Sequence, residues 1–281
     1  MAAFVSPRLR PLFVLVREEH RRALETRWLF GFAIAFAALV LGLSYFGLAQ
    51  SREIGFQGFG RVTLSLLNLV LLVVPLTGLM LGVASVAGDA DALALLLAQP
   101  VSRDEVLAGK FLGLCAALTS AQALGFGGGG LVIALMAGAD QLPGYVALTA
   151  LSFVLGWLSI ACALWIGTAI VDRVRALSVA LLGWFAAVVG YDLAVLGATS
   201  LLSGLPLESV LFPALLINPI DLTRVLVTLA VGSGALFGPT SAVLAKWFGA
   251  GGGAALGAAV LALETLAPLG LAVHAFRRRD G

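Results

Sequence analysis

Apolar residues in this chain fall in long unbroken runs, with no period-two alternation and few polar interruptions. Five runs, Leu29–Leu48, Val62–Val86, Phe111–Ala137, Tyr145–Val171 and Ala176–Leu202, stand out at once. A sixth, Gly252–Phe276, precedes Arg277-Arg278-Arg279. A helix needs about 20 mainly apolar residues to cross bilayer hydrocarbon, and a helix apolar on every side belongs in lipid or a large core. The pattern predicts an all-α polytopic membrane protein with six transmembrane helices. The stretch Val225–Phe237 is also apolar but covers only 13 residues, too few for a seventh crossing. The first run follows 28 residues of mixed charge and has no small-residue cleavage pattern behind it, so it reads as a span and not as a signal peptide.

Residues 1–28 show a different pattern. Leu9, Leu12, Phe13, Val16, His20, Ala23 and Leu24 recur at steps of three and four, while Arg17, Glu18, Arg21 and Arg22 occupy the rest of the circumference. This predicts an interfacial helix, whose arginines reach anionic head groups at about 1 kcal/mol each. It serves either as a simple surface anchor or as a helix that also leans on a partner. The lone His20 reads as packing.

Composition narrows the class. Hydrophobic residues make up 60% of the 281 and charged ones 11%, against roughly 25% charged in soluble domains. A water-soluble enzyme could not cover its surface with so little charge. The net charge of +2 says nothing about partners until the charges are located. Of 17 basic residues, 13 lie in the N-terminal segment, the second and fourth loops and the tail, leaving Arg52, Arg61, Arg224 and Lys246 on the other side. By the positive-inside rule both termini are cytoplasmic, which requires an even number of spans. The 34 glycines lack a collagen period and suit close helix packing. The expected organisation is an interfacial helix (1–28), two spans (29–86), a cytoplasmic loop (87–110), three spans (111–202), an extracytoplasmic helical segment (203–253) and the last span with its basic tail (254–281).

The loop 87–110 carries the most chemistry. Asp89 and Asp91 favour a helix start through the positive end of its dipole, Ala92–Ala98 continues it as an apolar stretch, and Gln99-Pro100 ends it. Ser102-Arg103-Asp104-Glu105 is a capping box that starts a second helix leading into the third span. An apolar helix outside the bilayer needs a cover of membrane or protein. In these residues, from Gly88-Asp89 through Leu95-Leu96-Leu97 and Gln99-Pro100-Val101-Ser102-Arg103 to Gly109-Lys110, the chain resembles ABC-2 permeases of ABC transporters. It departs from their usual pattern in having no Gly-Thr and Glu ahead of the leucines. The resemblance implies a type V-exporter-like fold, a coupling helix seated in a separate ABC ATPase subunit, and a second copy of the chain as partner. It places Asp89, Asp91, Leu95, Leu96, Leu97, Gln99, Pro100, Arg103 and Glu105 at the ATPase. No Walker A pattern occurs, so ATP and Mg would be bound by that partner and no cofactor by this chain.

In segment 203–253, Asn218 fits an N-cap, Pro219 the first helical position and Asp221 the first turn, with Arg224 one turn on. The spacing predicts a helix start outside the membrane, either lying on the outer leaflet or serving as a platform for a partner. Asn218-Pro219-x-Asp221-x-x-Arg224, together with Tyr191-Asp192 and the Gln99-Pro100 turn, is similar to the permeases of the ABC complex that matures the copper centres of nitrous oxide reductase. That resemblance implies a periplasmic copper-handling partner of the NosD kind, contacted by Asn218, Pro219, Asp221 and Arg224. It implies residence in a bacterial cytoplasmic membrane and no role for nucleic acid. An ABC-2 exporter of a hydrophobic small molecule, drug or lipid is the rival reading.

Asp192 and Glu264 are the ionisable residues deep in spans, each costing about 2.5–3.5 kcal/mol at a helix centre unless it faces protein or water. Asp192 lies about 25 Å beyond Arg175 and Glu264 about 20 Å before Arg277, similar depths that predict a shared polar pocket between spans five and six. Separate hydrogen bonds that lock packing are the other reading. The run Gly125–Gly130 lies in hydrocarbon without a following Lys-Ser/Thr, so it reads as a close-packed or kinked section. Cys115 and Cys162 sit in apolar runs and lack metal-ligand spacing. Soft ligands for copper(I) are few, with Met80 and Met136 beside the two cysteines, which favours force transmission over ion passage. An aspartyl protease would need a second Asp in a Gly-x-Gly-Asp context, and a proton-coupled secondary transporter would show repeats or broken helices.

Overall fold

The computed structural model describes residues 10–54, 58–87, 101–136, 142–201, 213–231 and 238–278. Among them the chain is helical throughout. Helix α1 covers Arg10–Glu25, α2 Arg27–Ile54, α3 Gly58–Val86, α4 Arg103–Met136 and α5 Leu142–Ala169. Helix α6 covers Arg173–Phe185 and passes through a π-helical turn, Ala186–Gly190, into α7, Tyr191–Leu201. Helix α8 covers Pro219–Ala230 and α9 Gly238–Arg278. Six stretches are long and apolar enough to cross a bilayer: Arg27–Ala49, Val62–Val86, Arg103–Met136, Leu142–Ala169, Arg173–Gly197 and Gly252–Arg278. They coincide with the six expected spans. The end of the bundle that carries Lys110, Arg173 and Arg277 is called the basic end below, and the opposite end the distal end.

The core is built by α2 to α5, with α3 lying along α5 and α2 along α4. Phe36 of α2 meets Phe126 of α4 edge-on at 5.2 Å between ring centroids, and Phe126 in turn meets Tyr145 of α5 at 5.9 Å. The Tyr145 hydroxyl donates to the Phe126 carbonyl at 2.7 Å, so the one polar tip in this aromatic column is satisfied. Small residues set the spacing. A Cβ on Gly129 would fall 2.6 Å from Val40 Cγ1 and 2.7 Å from the Tyr145 oxygen, and one on Gly125 2.8 Å from the Phe36 ring. The glycine run is therefore a close-packing surface inside one continuous helix, the first of the two readings above. The same device joins α3 to α5: a Cβ on Gly82 would lie 2.5 Å from the Ala163 Cβ and 3.1 Å from the Ile160 carbonyl oxygen. Without a hydrophobic drive between helices in lipid, such backbone proximity supplies the packing energy. Gly82→Val is expected to force α3 and α5 apart, costing about 1–3 kcal/mol, read as a lowered melting temperature of the purified protein in detergent.

The fifth span is the least embedded. Only 6% of its most apolar window is buried within the chain, and Leu182, Phe185, Leu193 and Leu196 point outward. It is tied to α3 beside an internal proline: Pro75 removes a backbone donor inside α3, and the Trp184 indole donates to the Leu72 carbonyl at 3.2 Å just before it.

Helix α8 adds packing that the spacing does not show. Its Asn218 cap and Pro219 start are as the spacing predicts, and the helix lies against the bundle. Ile220, Leu222, Val225, Leu226 and Val227 are buried, packed against α5, α9 and α3. Asn218 meets Ala187, which lies 14 residues, about 21 Å, along the fifth span from Arg173. With 12 residues, about 18 Å long, α8 is too short to cross a bilayer. It packs inward because of its sequence: a helix apolar on most of its circumference is more stable inside a helical bundle than on a wet surface. Of the short run Val225–Phe237, the part up to Ala230 is the second half of α8, and positions 232–237 lie outside the described residues. Helix α9 begins at Gly238, ahead of the apolar span that starts at Gly252.

Candidate functional site

At the basic end, three helices, α1, α3 and α9, converge on the start of α4. The capping box forms as expected: Glu105 accepts at 2.8 Å from both the Ser102 backbone N–H and its hydroxyl, and the Ser102 oxygen accepts from the Glu105 N–H at 3.2 Å. One residue on, Arg103 Nη1 donates to the carbonyls of Phe276 and Arg277, each at 3.2 Å. These carbonyls belong to the last turn of α9, and a cation at a helix C-terminus is favourable. Asp104 answers by accepting from Arg277 Nε at 2.8 Å and from its Nη2. The residues 103–104 therefore bracket the end of α9 in both directions.

Two turns further, Lys110 Nζ donates to the Ser85 carbonyl at 2.8 Å and to Glu19 Oε2 at 3.3 Å. Both side chains are largely covered, 12% and 14% exposed, so this pair avoids the screening that weakens surface ion pairs. Helix α1 is seated here by two glycines of α4. A Cβ on Gly109 would strike Leu15 at 2.7 Å, and one on Gly113 would strike Glu19 Cβ at 2.7 Å and the Val16 carbonyl at 2.8 Å. So α1 leans on its own chain through Leu15, Val16, Glu19 and His20. Phe13 and Leu24 of the expected apolar face remain exposed, the packed face being turned toward Leu15 and Glu19. Arg22 donates to Glu18 at 2.9 Å and holds that carboxyl below its usual range.

Of the residues placed at the ATPase by resemblance, Asp89, Asp91, Leu95, Leu96, Leu97, Gln99 and Pro100 lie outside the described residues. Arg103 and Glu105 lie inside them and are engaged within the chain, as above. What sequence reasoning missed is the partnership itself. Glu19, Ser85, Asp104 and Phe276 have no local signal that joins them to the loop, although the Gly109/Gly113 pair at i,i+4 could have marked a helix seat.

A second polar cluster sits where α8 meets the fifth span. The Asn218 Oδ1 accepts from the Ile220 N–H at 3.1 Å, and its amide nitrogen donates to the Ala187 carbonyl at 2.8 Å. Ala187 belongs to the π-helical turn, a register shift that alters which carbonyls the helix itself can satisfy. Arg224 binds Asp221 one turn earlier and approaches Asp192 of α7 at 3.5 Å. The Asp221 side chain is 13% exposed and Asp192 51%. One prediction is corrected here. Asp192 does not share a pocket with Glu264: its partner is Arg224, while Glu264 of α9 is near enough to Cys162 of α5 to act on it electrostatically. Equal depth put the two acids at one level but could not tell which neighbour each helix faces. Asn218 is 4% exposed and committed to its own chain through Ile220 and Ala187, while Pro219 is partly covered and lines an apolar cavity.

That cavity, about 240 Å³, lies among Pro75, Leu158, Cys162, Trp165, Trp184 and Pro219. Its lining is almost wholly apolar. Among the described residues, no group of three or more His, Cys, Asp and Glu side chains converges as a metal site.

Comparison with known proteins fits this geometry. Residues 13–281 match the family described as ABC-2 family transporter protein. A probable ABC transporter permease protein NosY from Stutzerimonas stutzeri is 32% identical over 277 residues, covering 94% of this chain and 97% of the relative. A protein of the same description from Pseudomonas aeruginosa is 32% identical over 221 residues, covering 76% of this chain and 80% of the relative. Six apolar spans, a capped loop helix feeding the third span and a match over nearly the whole length place this chain in the ABC-2 family of transporter membrane proteins, as a permease subunit similar to NosY.

Proposed function

We propose that this permease transmits force from an ATPase to the distal side of a bacterial inner membrane, in the copper-site maturation of nitrous oxide reductase. The similarity to NosY permeases over 94% of the chain carries this reading. In it the basic end faces the cytoplasm, two ATPase chains hold ATP and Mg, and the loop 88–100 seats in them. The geometry supports transmission over passage. Lys110 and Arg103 join the start of α4 to α1, α3 and α9, so a push on the loop reaches four helices together. The chain works as a pair, with the sparsely covered fifth span against its copy; Asp192, half exposed on an apolar helix, favours a protein neighbour there. A periplasmic copper-handling protein then meets the distal end.

Purification in mild detergent from its own membranes is expected to bring down an ABC ATPase and a periplasmic metal-handling protein, and deletion of the gene to leave nitrous oxide reductase short of copper. Copurification of the ATPase alone, with a fully metallated reductase in the deletion strain, would overturn the copper role. The absence of any ATPase would remove coupling as well. The apolar cavity beside Trp184 favours a second reading, export of a hydrophobic small molecule, drug or lipid. ATP-dependent extrusion of an apolar dye, stopped by Leu158→Trp, would establish it.

A further inference from the structure

We propose that a cavity at the basic end, between α1, α3, α4 and the starts of α2 and α6, binds an anionic phospholipid of the adjoining leaflet. The cavity measures about 450 Å³, within the range of small-molecule sites. Its composition is divided by depth. Arg22, Arg173 and Trp28 form the polar rim, and Leu114 and Leu177 are among the apolar residues beneath. Leu177 lies one turn, about 6 Å, along α6 from Arg173, so the floor begins where hydrocarbon does.

The charge at the rim is what selects the ligand. Glu19 also lines the cavity, but its carboxylate is engaged by Lys110. Arg22 spends its Nε on Glu18, leaving its terminal nitrogens. Arg173 has no hydrogen-bond or ion-pair partner among the described residues. The neighbouring Asp172 is turned to the Arg175 backbone N–H at 2.8 Å, as the cap of α6. The rim therefore offers an uncompensated guanidinium and a half-used one above an apolar floor. A phosphate with acyl chains satisfies both halves, whereas an acidic peptide leaves the floor unfilled. Trp28, 49% exposed, stands at the lip in the position of an interfacial anchor.

Phosphatidylglycerol titrated into the complete chain in mild detergent, followed by native mass spectrometry and thermal shift, is expected to bind and to raise the melting temperature. Phosphatidylcholine and inorganic phosphate are expected to do neither. Arg173→Gln should weaken the phosphatidylglycerol effect about fivefold, the worth of one basic contact near an anionic surface, and Leu177→Trp should abolish it by filling the floor. Binding that is equal for the two lipids, or undiminished in Arg173→Gln, overturns the proposal. So does inorganic phosphate matching the lipid, or a photoreactive residue at position 177 capturing a protein chain in native membranes in place of lipid.

Discussion

Arg224→Ala is expected to lower the stability of the folded permease by about 3 kcal/mol and to abolish its ATP-driven work. The side chain serves two carboxylates at once, Asp221 within α8 and Asp192 across on α7. Removing one partner of a covered ion pair costs about 3–5 kcal/mol, chiefly because the other charge is stranded. Asp221 is the side chain at risk, since it is mostly covered. The exposure of Asp192 and Arg224 puts the expected loss at the low end of that range. The signature is recovery: Arg224→Ala combined with Asp221→Asn removes the stranded charge and should regain most of the melting temperature. It should not regain function, because α8 would still be unfastened from the fifth span. Full activity in the single variant would show that the α8 tie is dispensable for work.

Lys110→Met carries the second large effect. Methionine keeps much of the apolar stem but removes both donations, to the Ser85 carbonyl and to Glu19. A covered carboxylate would be left without its cation, again worth about 3 kcal/mol. The double variant Lys110→Met with Glu19→Gln should restore the melting temperature while the link from α4 to α3 and α1 stays broken. The expected phenotype is an assembled complex that hydrolyses ATP but delivers less work per ATP, measured, for the function proposed above, as the ratio of hydrolysis to reductase metallation. An unchanged ratio in the double variant would assign Lys110 to folding alone.

The sequence made the spans and the helix starts legible because each rests on residues close together in the chain. Twenty apolar residues fix a crossing, Ser102 to Glu105 close a cap three residues apart, and Asn218-Pro219 open a helix by rules that need no tertiary knowledge. What stayed hidden depends on which side of a helix faces which neighbour. The partnership of Arg103 with the last turn of α9 spans 173 residues, and no local pattern predicts it. Asp192 and Glu264 were matched by depth, yet depth fixes one coordinate of three. The packing of α8 stays hidden for a related reason: a cap motif looks the same in water and inside a protein, and only the breadth of its apolar face, Ile220 through Val227, separates the cases.

Helix α9 has a mechanical consequence. It is clamped at its base by Arg103 and Asp104, and it touches α8 at Gly257, where an added Cβ would sit 2.6 Å from Leu226. The two points are 20 residues, about 30 Å, apart. A tilt of about 5° of the segment from the clamp to Gly257, with its internal Pro268 holding its angle, would displace the contact at Leu226 by about 2.6 Å, comparable to the helix shifts that switch other proteins. A motion too small to open a channel at the base is thus large enough at the tip to move α8.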